Sequence, residues 1–171
     1  MHTLTQEYLR EYFDYREDGN LVRRKTAGPS TKEGDVVGLI NKMGRSRFKV
    51  LGKLQSLHRM IFLWHTGELP KMLDHIDRDV LNNRIENLRI CTTSQNNRNA
   101  TKAKGCTSKY KGVTARGNRW RAVIYHEGKN RSLGYYDIEE DAALAYDIAL
   151  LSIDPEFGLF NFNKENYHRQ A

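Results

Sequence analysis

The sequence predicts an α+β protein built mainly from short antiparallel strand pairs, with few helices. Three observations predict it. Turn-forming groups, Asp18-Gly19-Asn20, Gly117-Asn118 and Glu127-Gly128, sit between short runs rich in β-branched and aromatic residues, which is the pattern of hairpins. One compact segment, Leu57–Trp64, leaves little polar face and reads as a largely buried helix. No run among the 171 residues approaches the ~18 consecutive apolar residues that a membrane-spanning helix needs.

Taken in order, a short helix is expected over Leu4–Tyr12, followed by strands at Phe13–Tyr15 and Leu21–Arg24. The opening MHTLTQEYLREYF mixes charged and apolar residues, unlike a secretory signal, so the chain is expected to stay in the cytoplasm. Segment 25–46, rich in Gly, Lys, Ser and Thr, reads as loops with one short strand near Val36–Ile40. Strands at Arg47–Leu51 and Lys53–Leu57 flank Gly52. Ser56 is a candidate cap for a helix over His58–His65, which Gly67 and Pro70 end. Packing or backbone hydrogen bonding is expected for His58 and His65. Strands at Leu73–Ile76 and Asn87–Cys91 enclose a polar loop, Asp77–Glu86, and a polar helix over Thr93–Ala103 follows, capped by Thr92 or Thr93.

The small polar stretch Lys104 to Lys109 is the expected linker. Beyond it come strands at Lys111–Ala115, Arg119–Tyr125 and Lys129–Tyr136. Asp137-Ile138-Glu139-Glu140 has the spacing of a capping box, opening an Ala-rich helix through Leu151. Cys91 and Cys106 lack partners at metal-finger spacing and are expected to be reduced, structural thiols.

The net charge of +7 admits an acidic partner such as nucleic acid, and its distribution says more. Segment 105–131 holds seven basic residues and one acid, whereas 132–171 holds two basic residues and eight acids. That is an electrostatic dipole along the sequence.

Asp74-His75 at one strand end, Asn87 at the start of the next, and Asn96 one turn into the following helix have spacings that suit a single pocket. A carboxylate and an amide oxygen are hard donors for Mg²⁺, and an imidazole takes a proton near neutral pH. Together they suit phosphodiester hydrolysis, although an Asp-His pair alone is more often a solvated turn or a local hydrogen bond, and turn or cap roles account as readily for the two asparagines. Arg84, Arg89 and Arg98 flank this set and are candidate grips on a nucleic-acid backbone, with solvation as the alternative for each. Arg59 suits a phosphate contact or a salt bridge.

The run Leu73-Asp74-His75-Ile76-Asp77-Arg78-Asp79, with Asn82-Asn83-Arg84-Ile85-Glu86-Asn87-Leu88-Arg89, Thr92 and Gln95-Asn96-Asn97, resembles the HNH homing-endonuclease family with its ββα-metal core. Leu57-His58-Arg59 and the apolar helix also look like the segment preceding the motif in phage- and intron-borne members. The resemblance implies His75 as general base activating water for in-line attack on phosphorus. It implies Asp74 and Asn96 as ligands of one divalent metal, Mg²⁺ or Mn²⁺ or another such cation, which offsets charge on the phosphate and the leaving 3′ oxygen. Asn87 would bond backbone across the loop and hold His75 in place. Asn96 stands where many members have histidine, so metal affinity is expected to be modest.

Tyr110-Lys111-Gly112-Val113, Trp120-Arg121-Ala122, Leu133-Gly134-Tyr135-Tyr136, the segment Glu140–Asp147, and Phe160-Asn161-Phe162 resemble the APETALA/ethylene-response-factor DNA-binding domain over 109–163. That family lays a three-stranded sheet in the major groove with one helix packed behind. Strand alternation agrees: Trp120, Ala122 and Ile124 would pack on the helix, with small Ala142, Ala145 and Ala149 allowing close approach, while Arg119, Arg121, Val123 and Tyr125 face outward. Lys111, Arg116, Arg119, Arg121, Tyr125 and Arg131 are the expected DNA contacts.

The expected organisation is therefore an HNH region over 1–104, comprising a β-rich segment over 1–57 and a catalytic core over 58–104, then a linker 105–108, the sheet-and-helix module 109–163, and a tail 164–171. The expected function is metal-dependent, site-directed cleavage of double-stranded DNA by a phage-encoded monomer, with no obligate protein partner. The alternatives are a catalytically silent DNA-binding regulator and a structure-specific or RNA-directed nuclease.

Overall fold

Thr5 opens the first helix, α1 (Gln6–Tyr12), by accepting a hydrogen bond from the Tyr8 amide at 3.2 Å. In the computed structural model, which describes residues 3–26, 28, 30–40, 44–102 and 105–167, two compact units divide at Cys91/Thr92.

In the first unit, β1 (Phe13–Arg16) and β2 (Asn20–Arg23) form the expected hairpin, and β3 (Val36–Val37) adds to β2. The single strand expected near Val36–Ile40 is two strands. Gly38, at φ +112°, breaks it, and a Cβ there would fall 2.2 Å from the Ser46 hydroxyl, so only glycine fits. Beyond the break β4 (Leu39–Ile40) pairs with β5 (Ser46–Val50), which pairs with β6 (Lys53–Ser56) in a second sheet. Helix α2 (Leu57–Thr66) begins one residue earlier than expected, and Ser56 occupies the cap position without a side-chain bond. It ends where the Gly67 amide reaches the Leu63 carbonyl at 3.0 Å. Leu57, Met60, Ile61 and Leu63 bury against Leu9, Phe13, Leu21 and Phe48, which makes α2 the core of this unit. Gln6 Nε2 donates to the Trp64 and His65 carbonyls and so latches α1 onto the end of α2. His65 packs edge-on against Tyr15 and Trp64, and burial there and the nearby Arg10 charge push its pKa down.

Strand β7 (Leu73–His75) pairs antiparallel with β8 (Leu88–Ile90), both shorter than expected. Asn87 does not start the second strand. It ends a 3₁₀ turn, Ile85–Asn87, because its amide bonds back to the Arg84 carbonyl at 2.9 Å.

The second unit opens with α3 (Thr93–Asn99), capped by Thr92 in a reciprocal capping box with Gln95. It stops at Asn99, short of the expected Ala103, which with Lys104 lies outside the described residues. Strands β9 (Val113–Arg116), β10 (Arg119–His126) and β11 (Lys129–Tyr136) form an antiparallel sheet with β10 central, backed by α4 (Glu139–Ile153). The capping box expected at Asp137 does not form. Ile138 is the cap residue, and the Asp137 carboxylate lies 2.9 Å from Arg119 Nε. Ala142 and Ala143 are the fully buried small residues of α4, while Ala145 and Ala149 are only partly buried. Gly112, at φ +75°, lies so close to the Tyr146 ring that a Cβ would sit 2.0 Å from it. Asp147, fully buried, accepts from the Asn161 and Phe162 amides and from the Tyr167 hydroxyl, fastening the chain after α4 to the helix. Of the expected tail, 168–171 lie outside the described residues. Among the described residues no helix is long and apolar enough to cross a membrane.

Candidate active site

All three residues of β7 are buried, so both faces of this short strand are covered and the Asp74 and His75 side chains sit in a restricted setting. Antiparallel register places Asp74 directly opposite Arg89, and directly opposed side chains meet. The Arg89 guanidinium accordingly donates twice to Asp74 Oδ2, at 3.0 Å from Nε and 2.8 Å from Nη2. Arg89, expected at the nucleic-acid backbone, is here the counter-charge of Asp74. His75 Nε2 lies 3.0 Å from Asn83 Oδ1, and the His58 ring packs against the His75 ring with centroids 5.2 Å apart. Burial, then the neighbouring His75 and the charges of Arg45, Arg59 and Arg47, push the His58 pKa down to about 4.

The loop between the strands is closed by side chains rather than by regular structure. Asn87 accepts from the Asp77 amide at 3.0 Å through Oδ1 and donates to the Asn82 carbonyl at 2.7 Å and to Asp77 Oδ1 at 2.8 Å. Its own carbonyl takes the Ile76 amide at 2.9 Å. One amide side chain thus spans the loop that follows His75. Burial pushes the Asp77 carboxyl up, but bonds from Asn82, Asn87 and the Asp79 amide outweigh it, and its pKa is lowered. The N-terminal hairpin supports the same loop. Gly19, at φ +82°, lies against the backbone of Asn83 and Arg84, where a Cβ would come within 2.8 Å, and the Tyr15 hydroxyl accepts from the Ile85 amide at 3.3 Å.

Sequence reasoning misses Asn83. Two adjacent asparagines in a polar turn look alike, and nothing in the run marks one as buried and bound to a histidine. Arg84 is exposed, while Arg59 Nε donates to the Pro70 carbonyl at 3.1 Å and ties α2 to the chain that follows it. Cys91 is buried, and burial together with the Asp74 charge raises its thiol to about 11; Cys106 is exposed, contrary to the structural role expected of it.

The donor chemistry suits a hard cation. Asp74 supplies a carboxylate, which has about four acceptor positions on two oxygens. Among the described residues no three His, Cys, Asp or Glu side chains gather as a metal-binding group, and the expected ligand pair is a carboxylate with an amide oxygen. The amide residue expected to complete it, Asn96, is half-buried on α3 of the second unit.

Other expected contacts in the second unit are engaged internally. Arg98 forms a largely buried ion pair with Asp154 at 2.6 Å. The Lys111 ammonium donates to the Asn97, Arg98 and Ala100 carbonyls at the end of α3, which accounts for its three donors. On the sheet, Arg116 and Arg119 stand directly opposite each other, and Arg121 and Tyr125 lie on the same outer face. Arg119 also bonds the Tyr135 carbonyl, and Arg121 Nε bonds the Ser132 hydroxyl at 3.3 Å. Arg131 departs from expectation. The register shifts between Ala122 and Val123, so Arg131 pairs across from buried Ile124, on the α4 side, and its guanidinium meets Glu127.

A model of the HNH endonuclease family matches residues 55–98. A protein of Acanthamoeba polyphaga mimivirus named as an uncharacterized HNH endonuclease is 35% identical over 126 residues, covering 70% of this chain. Protein 3.8 of Escherichia phage T7 is 31% identical over 106 residues, covering 60% of this chain. The chain spans 65% of the length of the mimivirus protein and 88% of the phage protein.

Proposed function

The chain belongs to the HNH endonuclease family, and on that premise we propose that it is a phage-type, site-directed endonuclease of the homing kind, hydrolysing double-stranded DNA with one divalent metal. The observation that carries this reading is the buried Asp74-His75 pair on β7, inside the family segment, with the following loop closed by Asn87. HNH nucleases use a divalent metal; Asp74 is the carboxylate donor assigned to it here, and Mg²⁺ is the metal of choice. A bound cation supplies positive charge to the phosphate and to the leaving oxygen. His75 takes the proton of the attacking water, and Asn87 fixes the backbone around it. Arg89 holds the Asp74 carboxylate in one orientation.

The second unit is proposed to bind DNA through the outer face of its sheet. Arg116 stands opposite Arg119, whose charge Asp137 already meets, and shares the outer face with Arg121; guanidinium groups on one face suit a phosphate backbone. Joining two modest binders in one chain raises the effective concentration of the cutting unit near its site.

The test is incubation of the full chain with long double-stranded DNA and Mg²⁺, with EDTA and RNA controls. Cleavage that requires metal, is lost in His75→Ala and is confined to DNA supports the reading. DNA binding by a wild-type chain that cuts under no metal condition would overturn it in favour of a catalytically silent binding protein.

A further inference from the structure

Asn83 is only 2% exposed, and its carboxamide makes two contacts. Its Oδ1 lies 3.0 Å from His75 Nε2, and its Nδ2 donates to the Leu81 carbonyl at 3.2 Å. The second contact fixes the first. A carbonyl oxygen only accepts, so the amide nitrogen must face Leu81 and the amide oxygen must face His75. Turned over, the amide would set oxygen against oxygen at Leu81. An oxygen facing Nε2 requires that Nε2 carry a proton, and in a neutral imidazole the other nitrogen, Nδ1, then holds the lone pair.

We propose that Asn83 is a positioning residue that sets the tautomer of His75, keeping the proton on Nε2 so that Nδ1 is the atom that receives the proton of the attacking water. The role needs a rigid mount, and the loop supplies one. The Asn83 amide turns back onto the Leu81 carbonyl at 3.0 Å, and the Gly19 backbone lies close against the backbone of Asn83 and Arg84. The His58 ring, edge-on to His75 at 67°, adds a second restraint on rotation of the imidazole. The use made of Nδ1 rests on the nuclease reading; the tautomer assignment does not.

Nitrogen NMR on the ¹⁵N-labelled full chain, at an alkaline pH where imidazoles are neutral, reads the tautomer directly, with His75 assigned by the signal missing from His75→Ala. The expected wild-type ring is protonated at Nε2. Asn83→Leu, which removes the acceptor, should give a mixture or the Nδ1–H form. In cleavage assays Asn83→Leu should lose about 10²-fold or more in kcat with little change in KM for DNA. A wild-type ring protonated at Nδ1 overturns the proposal, and so does an Asn83→Leu ring identical to wild type. An Nε2–H ring in a chain that does not cut DNA supports the positioning role and overturns the nuclease reading instead.

Discussion

His58 links the site to solution pH. Its pKa falls from 6.5 to about 4 on folding, so between those values the unfolded chain binds a proton that the folded chain does not. Stability from this group is therefore complete above the unfolded value and is lost as the pH drops from 6.5 towards 4. Thermal melts across that window should show a falling Tm, and His58→Gln should flatten the fall. Asp147 is the corresponding residue in the second unit. Asp147→Ala would strand two backbone amides and the Tyr167 hydroxyl, and a loss of about 3 kcal/mol in chemical denaturation is expected. Asp74, His75 and Asn87 are legible in the sequence through the family resemblance, since residue type and spacing alone leave turn and cap roles open. Asn83 is not, since burial and amide orientation are fixed by Leu81 and Gly19, a neighbouring carbonyl and a remote backbone that no local pattern encodes.

At the scale of elements, hairpins are legible wherever a Gly-containing turn separates two alternating runs, as at Gly19, Gly117 and Gly128. What escapes is parity. The β-bulge opposite Ala122/Val123 shifts the pairing by one residue, and a shift of one exchanges the faces of everything beyond it. Arg131 thereby leaves the face that carries Arg121. DNA titrations at several salt concentrations should show Arg116→Ala and Arg121→Ala each lowering the salt slope by about one, and Arg131→Ala leaving it close to wild type. Helix α3 reads as the end of the first region because polar helices carry no apolar stripe to reveal their partner. Its attachment runs through Arg98–Asp154 and Lys111, both long-range contacts. Arg98→Ala should destabilise the second unit by roughly 3 kcal/mol, since it leaves a buried carboxylate unpaired.

Over the whole molecule, the charge dipole of 105–171 maps onto the sheet at its basic end and onto α4 and the following chain at its acidic end. The division at Cys91/Thr92 makes a concrete prediction for truncation. A 92–171 fragment should melt cooperatively, whereas 105–171, deprived of Arg98 and of the carbonyls that Lys111 caps, should melt more than ~10 °C lower. The first unit is subject to a related constraint. The family segment begins at residue 55, yet the backbone of Asn83 and Arg84 is braced by Gly19 and the Ile85 amide by Tyr15, both far upstream. The nuclease motif is therefore not portable. Transplanted alone into a foreign scaffold, 55–98 would carry every residue of the signature and lack the hairpin that keeps its histidine aimed.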